Sequence, residues 1–447
     1  MVYHNPEAVK LTHAEDLAED LAGDPAAPCT LLVGAGVVGR AILAEHLRHG
    51  LNVLLLDLNA AALRQAGEAV AQTTELQWCE APSPLPGLAA IRLGKQLAGR
   101  WKPELLIESI PENLELKRSF FATASAELDA SCRLATNTSN LRVAEVFAAV
   151  ADRSRCLGMH FFMPVAERPL VELIPCDETA AASLQACRQH ARRLAKDALL
   201  TGDSPGFVVN RVLVPYLNQS LLLLGRGASP ESIAEAARRF GMPLSPLELI
   251  DLIGIRTAFD SGRVFWRSFP KRIDPAPILS GMIKAGRLGA AFGGGFFGPE
   301  LQRASESDTA AAAGGLDPQA LAVIERYQRD ERNWTVEEMI AALSLSMWIE
   351  AAEILAAGVV DAPAAIELGL RGGLGYCGEG GFFDFFDRQG NAAILEQLQT
   401  LAELGALAAP PALREQLQQG QRPTEAVLRY ARQCRGQAAL SAARSER

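Results

Sequence analysis

The 447 residues contain no Cys-x-x-Cys pair, no excess of positive charge, no unbroken apolar run of membrane length and no basic-then-apolar leader. Each absence excludes something. The eight cysteines (Cys29, Cys79, Cys132, Cys156, Cys176, Cys187, Cys377 and Cys434) are scattered, which argues against a zinc cage or any other metal site and against a secreted disulfide framework. Free thiols in a reducing cytoplasm fit them best. Lys plus Arg number 43 against 52 Asp plus Glu, a net charge of −9, so neither a nucleic acid backbone nor an anionic membrane is the expected partner. The longest apolar stretch, FVVNRVLVPYLNQSLLLL, is broken by Asn210, Arg211, Asn218 and Gln219 and predicts no membrane span. The first residues are acidic (Glu15, Asp16, Glu19, Asp20) where a signal peptide is basic. A soluble, cytoplasmic protein is expected. Apolar residues make up 49% and charged residues 21%, enough for two or three packed domains.

The pattern along the chain changes twice. Residues 1–28 read as a tail. From Thr30 short apolar runs alternate with helical stretches: TLLVGAG, LNVLLLD, ELLIESI, RLATNT, CLGMHFF, LVELI and ALLTGD. This alternation predicts βαβ units and a mostly parallel sheet over residues 29–205. After Ser204-Pro205-Gly206 the strands stop and helices follow through 206–300, one of them opened by Ser229-Pro230. Residues 301–333 read as a Gly/Ala/Ser-rich linker. A second helical region, 334–447, starts at Thr335, whose spacing to Glu338 is that of a capping box. Residues 218–243 and 349–375 share a helix, a Gly, a Pro-led helix and a Gly-rich turn, and LELIDLIG (247–254) continues against FFDFFDRQG (382–390). Duplication of one helical unit explains this, although any two helical hairpins share part of such a pattern.

Gly34-x-Gly36-x-x-Gly39 follows the first strand and opens a helix, with Val37 and Val38 between its last two glycines. Such glycines let the backbone approach a pyrophosphate that the helix N-terminus then binds. The next strand ends in Asp57, placed to accept bonds from an adenosine ribose. A dinucleotide site is expected. Of six histidines, His4 and His13 fall in the tail, while His46, His49 and His190 lie among charges and read as solvated helix-surface residues. His160 sits late in an apolar strand, and Glu172 sits inside the apolar run PLVELIP. A carboxylate in a buried strand is costly unless paired, and a His–Glu pair is what alcohol oxidation requires.

These residues resemble the L-3-hydroxyacyl-CoA dehydrogenases over about residues 30–390. The likeness rests on VGAGVVG with Asp57, IPENLELK (110–117), LATNTSNL (134–141), GMHFFMPVAERPLVEL (158–173) and DSPGFVVNR (203–211). The duplicated helical part resembles the end of multifunctional β-oxidation enzymes of fatty acid metabolism, without their hydratase segment. The resemblance implies a Rossmann-type NAD-binding domain, two helical C-terminal-type domains, and NAD-dependent interconversion of 3-hydroxyacyl and 3-oxoacyl thioesters. It implies His160 as base with Glu172 as partner, Ser139 on the substrate hydroxyl, and Asn210 positioning substrate and nicotinamide. Glu112, Lys117 and Asn137 fall along the nicotinamide half, with Gly34, Gly36, Val37, Val38, Gly39 and Asp57 holding the rest of the cofactor. Without the family, Ser139 and Asn210 could equally cap helices.

Three positions depart from the family: Met163 replaces an Asn, Ala291 replaces a basic residue, and the segment 58–111 is short, with WCEAPSPLPG where a basic helical hairpin clamps the CoA adenylate. The substrate is thus a thioester of CoA or of a carrier protein, with an unusual β-hydroxy substrate as the alternative. A separate enoyl-CoA hydratase or thiolase subunit is an expected partner. The rival from another class is a non-catalytic nucleotide-binding scaffold. In relatives with one helical domain, that domain packs on a second subunit, and here the second copy is expected to supply that surface.

Overall fold

The computed structural model describes residues 27–73, 76–95, 97–298, 315–329, 332–403 and 408–445. The tail at 1–26 and most of the Gly/Ala/Ser-rich stretch lie outside them. The chain forms two compact units that divide between Asp203 and Ser204.

The first unit is a nine-stranded sheet with helices. Strand β1 (Ala27–Val33) is followed by helix α1 (Val37–Arg48), β2 (Val53–Asp57), α2 (Ala60–Thr73), β3 (Gln77–Ala81), β4 (Ala89–Gly94) and β5 (Trp101–Glu108). Then come α3 (Leu114–Glu127), β6 (Arg133–Thr136), the single turn α4 (Val143–Val146), β7 (Cys156–Phe161), β8 (Leu170–Pro175), α5 (Ala181–Arg193) and β9 (Asp197–Leu200). The strand order is β3-β4-β2-β1-β5-β6-β7-β8-β9. β2, β1, β5, β6 and β7 run parallel, and their apolar stretches, such as LLV of β1 and LLI of β5, are buried on both faces. Leu32, Leu55, Ile107, Leu157 and Met159 pack with Ile42, Leu43 and Leu47 of α1 in one core.

Two of the nine strands were not among the seven runs read from the sequence. The proline-rich segment supplies most of β3 and the turn that follows it in a hairpin, β3 against β4, added antiparallel to β2. Its strands are short and mix polar with apolar residues, so neither shows an apolar run. Gly67 of α2 has no room for a side chain because the Trp78 ring of β3 fills that place.

The second unit is helical. Helix α6 (Val209–Leu224) is followed by helices at Pro230–Phe240, Pro246–Ile253, Ile255–Ser268 and Ile278–Lys284. A further helix, Pro318–Tyr327, lies within the segment read as linker. Asp317 caps it, Pro318 opens it, and Ala320, Val323 and Ile324 are buried, a pattern that the preceding Ala/Gly/Ser run obscured. Thr335 and Glu338 form the expected reciprocal capping box of the helix Val336–Ala356. That helix is long and apolar enough to cross a membrane by composition, and it is mostly buried inside the unit. It packs against α6.

The segments 247–254 and 382–390 make similar backbone contacts. Asp251 accepts the backbone N–H groups of Phe296 and Phe297, and Asp387, its counterpart in the aligned segment, accepts that of Thr424. Three residues after each aspartate the chain turns at a glycine with positive φ, Gly254 (95°) and Gly390 (77°). Only glycine adopts such angles without strain.

Candidate active site

The glycine loop is built for close approach. A side chain at Gly34 (φ 106°) would strike the Ser109 carbonyl, and one at Gly39 would strike the Gly34 carbonyl. Gly36 instead faces open space. It precedes α1 as N-cap without a side-chain capping bond, so the first-turn N–H groups of Val37, Val38 and Gly39 stay directed at whatever enters. Asp57 shapes this loop from the end of β2: Ala35 N–H donates to its Oδ2 at 2.7 Å and Asn59 N–H to its Oδ1 at 2.8 Å.

A second cluster forms where β5 and β6 end. Lys117 is buried and lies 2.5 Å from Glu108 Oε1 and 3.3 Å from Glu112 Oε2. Glu112 Oε1 accepts from Thr138 Oγ1 (2.6 Å), Ser139 N–H (3.0 Å) and Asn140 N–H (3.2 Å), fixing the loop that carries Ser139. Thr136 Oγ1 donates to Glu108 Oε2 at 2.7 Å. Asn137 Oδ1 accepts the Phe161 N–H at 2.9 Å and so ties this loop to the residue beside His160. Glu108, fully buried, went unread in the sequence, although it ends the apolar run ELLIE and the reasoning applied to Glu172 applies to it equally.

His160 and Glu172 are directly opposite one another in the antiparallel β7–β8 register. Both are buried, and His160 Nδ1 lies 2.9 Å from Glu172 Oε2. The twelve-residue separation is set by the turn between the two strands, and cross-strand opposition brings the side chains together. The edge of Phe162 packs on the imidazole with ring centroids 4.6 Å apart. Met163 follows at 40% exposure. Asn210 stands in the first turn of α6, in the second unit, and Ala291 in a short turn after Gly289.

Two histidines correct the sequence reading. His46 and His190 are buried, not solvated, and their Nε2 atoms are 2.9 Å apart. His46 Nδ1 donates to the Ile42 carbonyl at 2.7 Å, which leaves its Nε2 to accept from His190. Burial pushes His46 down to about 4, helped by Arg193 and His49 and opposed by the Ile42 carbonyl and Glu45. His190 is pushed well below the usual histidine range, first by burial, then by His46 and Arg193.

The model of the 3-hydroxyacyl-CoA dehydrogenase NAD-binding domain matches residues 30–204, and that of the same family's C-terminal domain matches 206–298. The chain belongs to this family. Its first unit is an NAD-binding Rossmann-type domain, its second begins with the helical C-terminal domain, and its cofactor is NAD. Among curated relatives, the fatty acid oxidation complex subunit alpha of Pseudomonas savastanoi is 29% identical over 398 residues, 87% of this chain and 54% of that protein. The protein of the same name from Pseudomonas aeruginosa is 28% identical over 399 residues, 88% of this chain and 55% of its own length. The chain thus spans about half the length of these relatives. Among solved structures, (S)-3-hydroxybutyryl-CoA dehydrogenase from Ralstonia eutropha is 29% identical with a TM-score of 0.50, covering 60% of this chain and 97% of its own. The 3-hydroxybutyryl-CoA dehydrogenase from Escherichia coli shares the fold over 88% of this chain and 99% of its own, with a TM-score of 0.67 at 22% identity.

Proposed function

We propose that this dehydrogenase interconverts a 3-hydroxyacyl thioester and its 3-oxoacyl thioester, with His160 as the base. The observation that carries the reading is the buried His160–Glu172 pair at 2.9 Å. A scaffold gains nothing from a titratable pair inside a sheet, where burying charge is costly. With the Nδ1 proton given to Glu172, Nε2 is the basic nitrogen and takes the substrate's hydroxyl proton while Glu172 stabilises the imidazolium. The C3–H bond breaks as the C3–O double bond forms, and bound NAD would supply the acceptor for the departing hydride. Ser139, its loop fixed by Glu112, hydrogen-bonds the 3-hydroxyl, and Asn210 positions substrate and nicotinamide. Gly34, Gly36, Val37, Val38 and Gly39 hold the pyrophosphate and Asp57 the ribose, with Lys117 and Asn137 supporting the nicotinamide side.

Asp57 also sets the choice of nucleotide. An anionic carboxylate there repels a 2′-phosphate, and Arg64, the first arginine after it, is paired with Glu80 at 3.0 Å. NAD is expected to bind at least tenfold more tightly than NADP, roughly 1.4 kcal/mol. Calorimetry giving equal affinities sinks this assignment.

A second reading of the acyl carrier is favoured by the hairpin at 77–94. Two arginines of the shortened segment already have partners: Arg64 pairs with Glu80 at the surface, and Arg92 donates to the carbonyls of Leu97 and Gly99, both at 3.0 Å. This fits a carrier protein as well as CoA. The relatives' names as complex subunits support a multienzyme partner, such as a separate hydratase or thiolase subunit. NADH absorbance with acetoacetyl-CoA, longer 3-oxoacyl-CoA thioesters and the same acyl groups on carrier protein tests all of this. Oxidation of NADH by any of them is expected, and none reacting overturns the proposed function.

A further inference from the structure

The segment that carries Asn210 is locally unfavourable. Gly206 and Phe207 both have positive φ, 76° and 51°. For a buried phenylalanine a left-handed backbone is strained and persists only where the surroundings enforce it. Arg211 does the enforcing. Its side chain is buried and its Nη1 donates back to Ser204 Oγ at 3.1 Å, while its backbone N–H donates to the Gly206 carbonyl at 2.9 Å. Residues 204–211 are therefore closed into a loop with Asn210 next to the clasp.

What holds the clasp comes from the second helical region. Arg211 Nε donates to Glu350 Oε1 at 2.5 Å, and Glu350, buried in the helix Val336–Ala356, lies 139 residues away in sequence. Arg272 donates to the same oxygen at 3.0 Å and to Glu353, whose other oxygen accepts from Tyr430. The Arg211 and Arg272 guanidinium groups both lie over the Phe269 ring, at 4.3 and 4.8 Å. Two arginines and two glutamates thus balance in charge around one aromatic plate, and the planar fork of Arg211 is fixed in orientation as well as in place.

We propose that Glu350 is a positioning residue for the dehydrogenation: the second helical copy sets Asn210 by locking Arg211. The inference rests on the role given to Asn210 under the proposed function.

The test is a double-mutant cycle on the full chain, read as kcat and KM for acetoacetyl-CoA and NADH, with rates normalised to folded protein by circular dichroism. Asn210→Ala is expected to lower kcat/KM. Glu350→Gln is expected to lower it about tenfold, since small misplacements of a positioning group cost rate. Glu350→Asp, which keeps the charge, should recover part of the loss. In the Asn210→Ala background Glu350→Gln should cost less than twofold, because its effect runs through Asn210. A merely structural role would cost the same in both backgrounds, and that result overturns the proposal. If Glu350→Gln fails to fold, Ser204→Ala frees the other anchor of Arg211. A loss of about threefold that vanishes with Asn210→Ala supports the proposal, and a loss independent of Asn210 overturns it. Parent-like kinetics for Asn210→Ala overturns the role of Asn210 and this inference together, whereas His160→Gln tests the proposed function separately.

Discussion

Two histidine pairs sit buried in the same unit, one across two strands and one between two helices, and they differ in the partner. His160 faces a carboxylate, Glu172, at 2.9 Å, and His46 faces another imidazole, His190, at the same distance. A carboxylate lets a buried ring take up a proton and keep it for a moment, which proton transfer needs. A second imidazole offers no compensating charge, so burial keeps the pair neutral, with His46 down at about 4. Burial of a histidine therefore says little about its task until the partner is known.

The largest expected effect separates the two pairs directly. His160→Gln should lower turnover by about 10²–10⁴-fold, the usual size of general base catalysis, and leave NAD affinity unchanged. His46→Gln should leave the turnover of folded enzyme within about twofold. Comparable losses in both variants, measured by steady-state kinetics, break the comparison. Next in size, Glu172→Gln should cost at least about tenfold in turnover, because an amide cannot stabilise the imidazolium. Parent-like rates would make Glu172 a packing partner only.

The third prediction concerns acid. The folded-state value of His46 lies below its unfolded value, so the stabilisation is fully present above about pH 6.5 and is lost as the pH falls toward about 4. Thermal unfolding should show a falling Tm across that window, and replacing both His46 and His190 by Gln should flatten the fall. An unchanged slope in the double variant would remove the pair from the account. The smallest effect is the most instructive. His190→Glu gives His46 the kind of partner His160 has, and the acid-dependent fall of Tm should shrink relative to the parent. A steeper fall would show that partner charge does not govern the ring.

The site was legible where one local rule sufficed. Gly34, Gly36 and Gly39 after an apolar strand, with Asp57 at the end of the next, announce the nucleotide loop. Glu172 announced a partner because a charge inside PLVELIP must be paired. Glu108 obeys that rule too, yet its partners Lys117 and Thr136 come from two other elements, α3 and β6, which no local pattern joins. His46 and His190 were misread because charged neighbours, Glu45 and Arg48 for one, Arg192 and Arg193 for the other, suggested a wet surface. Helical periodicity pointed the other way, since His46 shares a face with Ile42 and Leu43, and His190 with Cys187 and Ala191. The β3–β4 hairpin escaped because its strands are short and its turn proline-rich. Glu350 lay beyond sequence reasoning altogether, because a contact 139 residues apart follows from how α6 and the Val336–Ala356 helix pack.

The hairpin has one more consequence, for crowding. It moves the border of the sheet from β2, whose five residues read VLLLD, out to β3, which reads QWCEA. The opposite border is β9, four residues beginning with Asp197. Both outer strands are short and carry a negative charge, Glu80 on one and Asp197 on the other, and short charged borders are poor templates for strand addition by a neighbouring molecule. Removing the hairpin would present an apolar parallel strand to solvent, so a version lacking residues 77–94 should aggregate at concentrations where the full chain stays dispersed.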